Sequence, residues 1–132
     1  GDFLVTGPED APVLSPENYA RYEPFVAIVN ALDAKTLVAL YRSLEPLFQQ
    51  AYEELGQPDR SFNERLIEVI DHLLAAPSPR GDIRLVQPSV LYRYADEQLE
   101  KSSSGHKLLI RMGPDNAGVI KGKLREIKAE LR

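Results

Sequence analysis

Between Asp33 and Gly56, apolar residues fall at Leu37, Tyr41, Leu44, Phe48, Ala51 and Leu55, in alternating steps of four and three. An α-helix turns once every 3.6 residues, so this spacing lines six apolar side chains along one side of a long helix. Such a helix must be covered by other helices, and that requirement points the whole chain toward a bundle. Asp33 is a good N-cap, and Gly56 followed by Pro58 supplies a stop. Pro46 lies inside the stripe. Its missing N–H predicts a kink, with the Arg42 carbonyl left to water or a side chain.

The same periodicity recurs along the chain. Tyr19, Tyr22, Val26 and Val29 mark one helix face after a Ser15 cap and Pro16, with Pro24 expected to break or kink it into a short helix and a longer one near Leu32. The stretch "SFNE" has capping-box spacing, from Ser61 to Glu64, and opens a helix through "RLIEVIDHLL" to about Ala76. "PSPRGD" reads as loop, and "IRLVQ" as a short extended segment able to pair with the N-terminal "FLV". Gln87-Pro88 is expected to begin a helix with Leu91, Tyr94, Ala95 and Leu99 inward. "HKLLIRM" makes a short helix stopped by Gly113-Pro114, and Asp115 caps a last helix carrying Ile120, Leu124, Ile127 and Leu131. The expected fold class is all-α: a compact single-domain bundle of about six helices over residues 15–132. An extended arm covers 1–14, and a long loop lies around 77–88.

Composition adds exclusions. At 132 residues, 43 % hydrophobic and 27 % charged, the chain suits one soluble globular domain, and its apolar runs are too short to span a bilayer. With no cysteine there are no disulfides, thiolate ligands or cysteine nucleophiles. The opening "GDFLVTG", without Met or signal peptide, reads as a trimmed start whose Gly1 is a protease scar. A net charge of −4 argues against nucleic acid as a partner. The charge is uneven: residues 1–76 carry 5 basic and 13 acidic side chains, and residues 77–132 carry 11 basic and 7 acidic. Either the two halves neutralise each other across the fold, or the second half offers a basic face to a partner.

Four stretches invite a chemical reading. Ser104-Gly105-His106-Lys107 has the S-x-x-K spacing of penicillin-recognising enzymes, but the chain lacks their S-D-N and K-T-G motifs and is too short for their scaffold. Serines linking two helices, with Ser103 or Ser104 as a cap, account for it. Glu64, Glu68 and His72 share a helix face, but Glu68 and His72 lie opposite the apolar side, beside Arg65, where solvated ion pairs form. His106 is the only other histidine, so a zinc set is not expected. Asp71, nearer the core boundary, is expected to accept a structural hydrogen bond. "GPDNAGVIKGK" fails as a phosphate loop, because Lys121 comes three residues after Gly118. In "KGKLREIKAELR" the basic residues are expected on a solvated back face or a docking face, and Gly118 and Gly122 could admit a close helix neighbour. No metal or cofactor is expected.

Five stretches together carry a resemblance: "LSPENYARYEPFV", "LYRSLEPLFQQAYEELG", "FNERLIEVIDHLL", "LVQPSVLYRYAD" and "KLLIRMGPDNAGVIKGKLREI". From Leu14 onward the chain resembles a bacterial envelope family of unknown function. The resemblance implies a single N-terminal membrane anchor, a proline-rich linker and this domain on the periplasmic side of the inner membrane. It brings no catalytic residues.

The expected function is a non-catalytic helical interaction module binding a protein or another envelope partner. Its expected partner surface is Arg80, Arg84, Tyr92, Arg93 and Arg111, since arginine beside tyrosine favours docking. The alternatives are an enzyme of unrecognised type using Glu68, Asp71 and His72, and small-molecule binding in an apolar pocket within the bundle.

Overall fold

The computed structural model describes residues 3–88 and 91–132. Its helices are α1 (Glu17–Ala31), α2 (Ala34–Glu54), α3 (Phe62–Leu74), the single turn α4 (Glu97–Glu100), α5 (Ser104–Met112) and α6 (Pro114–Leu131). Four two-residue strands accompany them: β1 (Val5–Thr6), β2 (Val13–Leu14), β3 (Leu85–Val86) and β4 (Arg93–Tyr94). The protein is an all-α single-domain bundle, as its periodicity predicts.

Side chains set the helix starts. Asp33 accepts from the Thr36 N–H at 3.0 Å and from its hydroxyl at 2.5 Å, and these bonds hold its carboxyl below the usual range. Ser61 accepts from Glu64 N–H and Ser103 from His106 N–H, both at 3.2 Å. At the other end of α2, Gly56 sits at φ 99°, the left-handed region a C-terminal glycine reaches without strain. Two expected starts shift. Ser15 accepts from Glu17 N–H at 3.2 Å while Pro16 takes the cap position. In α6 the cap is Gly113, with Pro114 first, so Asp115 already lies in the opening turn.

The prolines divide nothing. Pro24 lies inside an unbroken α1 and Pro46 inside an unbroken α2. The expected pair of helices around Pro24 is therefore one. Pro24 and Ala20, whose carbonyl loses its donor, are both on the exposed side, where water can serve. The break falls at Leu32-Asp33, where α1 and α2 bend by 77°.

α6 is the hub, packing against α1, α2, α3 and α5. Its residues join two of the three core clusters, one around Val26, Leu109, Met112 and Ala117 and one around Val38, Ile70 and Leu131. Its polar side chains reach the C-terminal ends of its neighbours. Lys121 Nζ donates to the Ala76 carbonyl at 2.5 Å and to Ser78 Oγ at 3.0 Å, just past α3. Lys123 Nζ donates to the Leu32 carbonyl at the end of α1. Asn116 donates to the Met112 carbonyl at 2.9 Å, the end of α5, and to Tyr19 O at 2.7 Å. In return Arg42 Nη2 reaches the Leu131 carbonyl at 2.5 Å. Both lysines are buried, which corrects the expectation of a wholly solvated basic face. Burial, followed by the nearby Arg125, lowers the Lys121 pKa. Gly118 and Gly122 have open space where a Cβ would stand, so no close neighbour explains them.

The third cluster lies under the arm. β1 and β2 form an antiparallel hairpin, with Val5 opposite Leu14. Asn18, 0 % exposed, pins it to α1: its amide donates to the Leu4 and Ser15 carbonyls, both at 2.7 Å, and its oxygen accepts from Leu4 N–H at 2.9 Å. The "IRLVQ" segment meets the arm through its second strand rather than through "FLV". Leu14 N–H donates to Ile83 O at 2.8 Å, and Leu85 N–H to Pro12 O at 3.0 Å. The helix expected from Gln87 is replaced by β4, antiparallel to β3 with Leu85 opposite Tyr94 and Val86 opposite Arg93. Tyr94 and Leu99 are five residues apart in the expected face, but pairing with β3 puts Tyr94 inward by strand alternation instead. Ser89 and Val90 of that expected helix lie outside the described residues.

Two substitutions test these supports. Gly113 has φ 90°, and a Cβ there would meet the Tyr19 ring at 2.5 Å. Gly113→Ala should cost about 2–4 kcal/mol in denaturant unfolding. Lys123→Met keeps the buried stem and removes the donor at the end of α1. It should cost about 1–2 kcal/mol.

Candidate functional site

The carboxylates and histidine of α3 do not converge. Glu68 pairs with Arg65 at 3.1 Å, and Asp71 accepts from Lys128 Nζ at 2.5 Å, the structural bond expected of it. Glu64 takes part in the cap through its backbone N–H, which donates to Ser61 Oγ at 3.2 Å. His72, at the end of α3, turns instead to the start of α5, where its Nε2 lies 2.7 Å from Ser103 Oγ. The His106 ring stacks on the His72 ring at 4.0 Å between centroids, and its Nε2 bonds the His72 carbonyl. The two histidines, 34 residues apart in sequence, thus meet. Among the described residues no group of three or more His, Asp or Glu is placed to hold a metal.

Ser104 and Lys107 share one face of α5 and line a cleft with Phe3, Tyr92, Tyr94, Glu100, Leu108 and Arg111, of about 330 Å³. Lys107 Nζ turns to Glu100 at 3.5 Å, whose other oxygen accepts from Tyr94 N–H at 2.9 Å. The lysine of the S-x-x-K spacing is thus engaged by a carboxylate. Arg111 lies over the Phe3 ring, 4.6 Å from its centroid, and Phe3 packs on Tyr94 at 5.5 Å. The cleft opens between arm, β4 and α5 rather than inside the bundle.

The five residues expected to form a partner surface are distributed. Tyr92 and Arg111 share the cleft. Arg84 and Arg93 are exposed on the β3–β4 ribbon, where Leu85 and Tyr94 turn inward. Arg80 stands apart, 3.7 Å from Asp115, both largely exposed, a geometry that contributes little.

One uncovered apolar surface consists of residues expected in the core. The inner face of α2 is Ala34, Val38 and Tyr41, whereas Leu37, Leu44, Phe48 and Leu55 of the expected stripe are exposed. Leu40 at 59 % exposed and Leu47 at 64 % extend that outer surface. On α1, Phe25, Ile28 (66 %) and Leu32 continue it at steps of three and four up to the bend. The surface is held firmly from beneath: Phe48 stacks on Phe62 of α3 at 5.4 Å and on Tyr41 at 5.8 Å. The missed signal was a second register, Leu37, Leu40, Leu44, Leu47 and Ala51, overlapping the first. A helix apolar over that much of its circumference has two sides to cover.

Tyr94 gives a measurable check on the cleft floor. Its hydroxyl is buried without a hydrogen-bond partner, and burial, opposed by Arg111 and reinforced by Glu100, pushes its pKa up to about 12. Tyr94→Phe should raise unfolding free energy by about 1 kcal/mol, because the unpaired hydroxyl is costly to bury. In the parent the unfolded tyrosine ionises first. Stability is therefore whole below about pH 10 and falls as pH rises toward 12. The variant should lose less over that window in thermal unfolding followed by circular dichroism.

No curated protein and no solved structure matches the chain. Residues 1–128 match the model of a family described as a protein of unknown function (DUF3014), and the chain belongs to that family.

Proposed function

We propose that this domain is a non-catalytic helical interaction module. We place it on the periplasmic side of the bacterial inner membrane, held there by the N-terminal anchor and linker that its sequence resemblance implies. The observation that supports this reading is the uncovered apolar face of α1 and α2. Clusters of large exposed apolar side chains on a monomer mark contact sites. Among the described residues no single helix is long and apolar enough to cross a membrane. The Arg84 and Arg93 ribbon and the Tyr92–Arg111 cleft lie on other elements, and we assign them a supporting electrostatic role.

One observation favours the enzyme reading, the 2.7 Å approach of His72 Nε2 to Ser103 Oγ. A serine nucleophile also needs its base oriented by a third group. The neighbouring carboxylates Glu68 and Asp71 are bound to Arg65 and Lys128, and Ser103 Oγ already caps α5.

Two experiments separate the readings. Fluorophosphonate and penicillin probes should label the parent, Ser103→Ala and Ser104→Ala equally, at background. Labelling lost in either variant would establish a nucleophile and overturn the non-catalytic reading. A photo-cross-linking residue at Ile28 or Leu40 of the full-length protein in native envelopes should give discrete adducts, and one at Lys35, on the polar side, should not. Equal yields at all three positions would remove the apolar face as a contact surface.

A further inference from the structure

We infer that the outer face of α2 is the seam of a homodimer, α2 packing against α2 of a second copy. This rests on the interaction-module reading and names its partner. Leu37, Leu40, Leu44, Leu47 and Ala51 recur at three-four-three-four, a 3.5-residue repeat that keeps a seam facing a second helix. All five are exposed, and the run covers about 21 Å of helix, two full heptads.

The rim of the seam argues for a like partner. On one flank stand Thr36, Ser43 and Gln50, and on the other Tyr41, Phe48 and Leu55. None is charged, although residues 1–76 carry 13 acidic side chains against 5 basic ones. Between Leu37 and Ala51 two copies can therefore approach without like charges facing each other, and the exposed Glu54, the next position of the repeat, marks where the seam ends. A differently charged protein would find nothing on the rim to select it, since flanking charges set partner choice in paired helices. An anionic membrane is also disfavoured, because interfacial helices flank their apolar face with Lys and Arg, which this rim lacks. Pro46 lies on the side of α2 turned away from the seam, so its ring does not enter the contact. The aromatic stack of Tyr41, Phe48 and Phe62 fixes α2 on α3, so the seam is presented ready-made. A twofold interface needs one self-complementary patch, and a leucine stripe can supply it.

The test uses the purified chain. Sedimentation equilibrium should give twice the 14.8 kDa of one chain, with dissociation on dilution. Leu40→Glu with Leu47→Glu changes two exposed positions, so circular dichroism should stay unchanged while the dimer weakens about 1,000-fold or more. A photo-cross-linking residue at Leu47 should give a dimer-sized adduct from the purified chain alone. A monomer at every concentration, without that adduct, overturns self-association. If the Leu47 probe then reacts with another protein in envelopes, or the monomer floats with phosphatidylglycerol vesicles, the module reading stands and only the second copy is wrong. If the probe captures nothing in either setting, both readings fall. A dimer that persists in the double variant overturns α2 as its seam.

Discussion

The fold depends on what α6 does with the ends of other helices. An α-helix leaves its last carbonyls without intrahelical donors, and the axial dipole makes that end negative. Lys123 meets this need at α1 and Asn116 at α5, and Lys121 takes the Ala76 carbonyl just past the end of α3. The C-terminal ends of three helices are thus tied to one. The bonds cost desolvation of two ammonium groups, visible in the lowered Lys121 pKa. Helix-end carbonyls, rather than carboxylates alone, offset it. Lys123 also holds Glu126 at 2.9 Å.

That arrangement takes up three of the eleven basic residues of the second half. The basic second half neutralises the negative ends of helices from the first half, and Lys128 completes the link at Asp71. Charge counting alone cannot see this, because a backbone carbonyl carries no formal charge. Arg80, Arg84, Arg93, Lys101, Arg125 and Arg132 remain exposed, Arg84 and Arg93 beside Leu85 and Tyr94, which turn inward to build the core cluster under the arm.

Helix identity and most helix ends were legible because they rest on local chemistry: Asp33, Ser61 and Ser103 act on amides three residues away. The failures share a cause. Tyr92 and Tyr94 suit strand alternation as well as they suit a helix face, and only the partner strand Leu85–Val86 decides between them. The arm pairs with "IRLVQ" through Val13 and Leu14 for the same reason, since register across some 70 residues leaves no local trace. The meeting of His72, Ser103 and His106 was equally hidden, being a product of how α3 packs on α5.

The α2 surface is a different kind of miss. Two apolar registers overlap on one helix, and a sequence reading that assumes one buried side will assign the stronger register to it. The fold instead buries the smaller residues, Ala34 and Val38, and leaves the leucines outside. Close approach explains this. α2 meets α6 on that side, where Val38 packs with Ile70 of α3 and Leu131 of α6. The leucines are then surplus to the core of one chain. Leaving Leu40 and Leu47 mostly in water, with Leu37 and Leu44 partly so, is costly for a monomer, because each is a large apolar side chain. The cost vanishes when a second helix covers them. The same physical requirement that makes α2 part of a bundle thus extends past the boundary of the single chain.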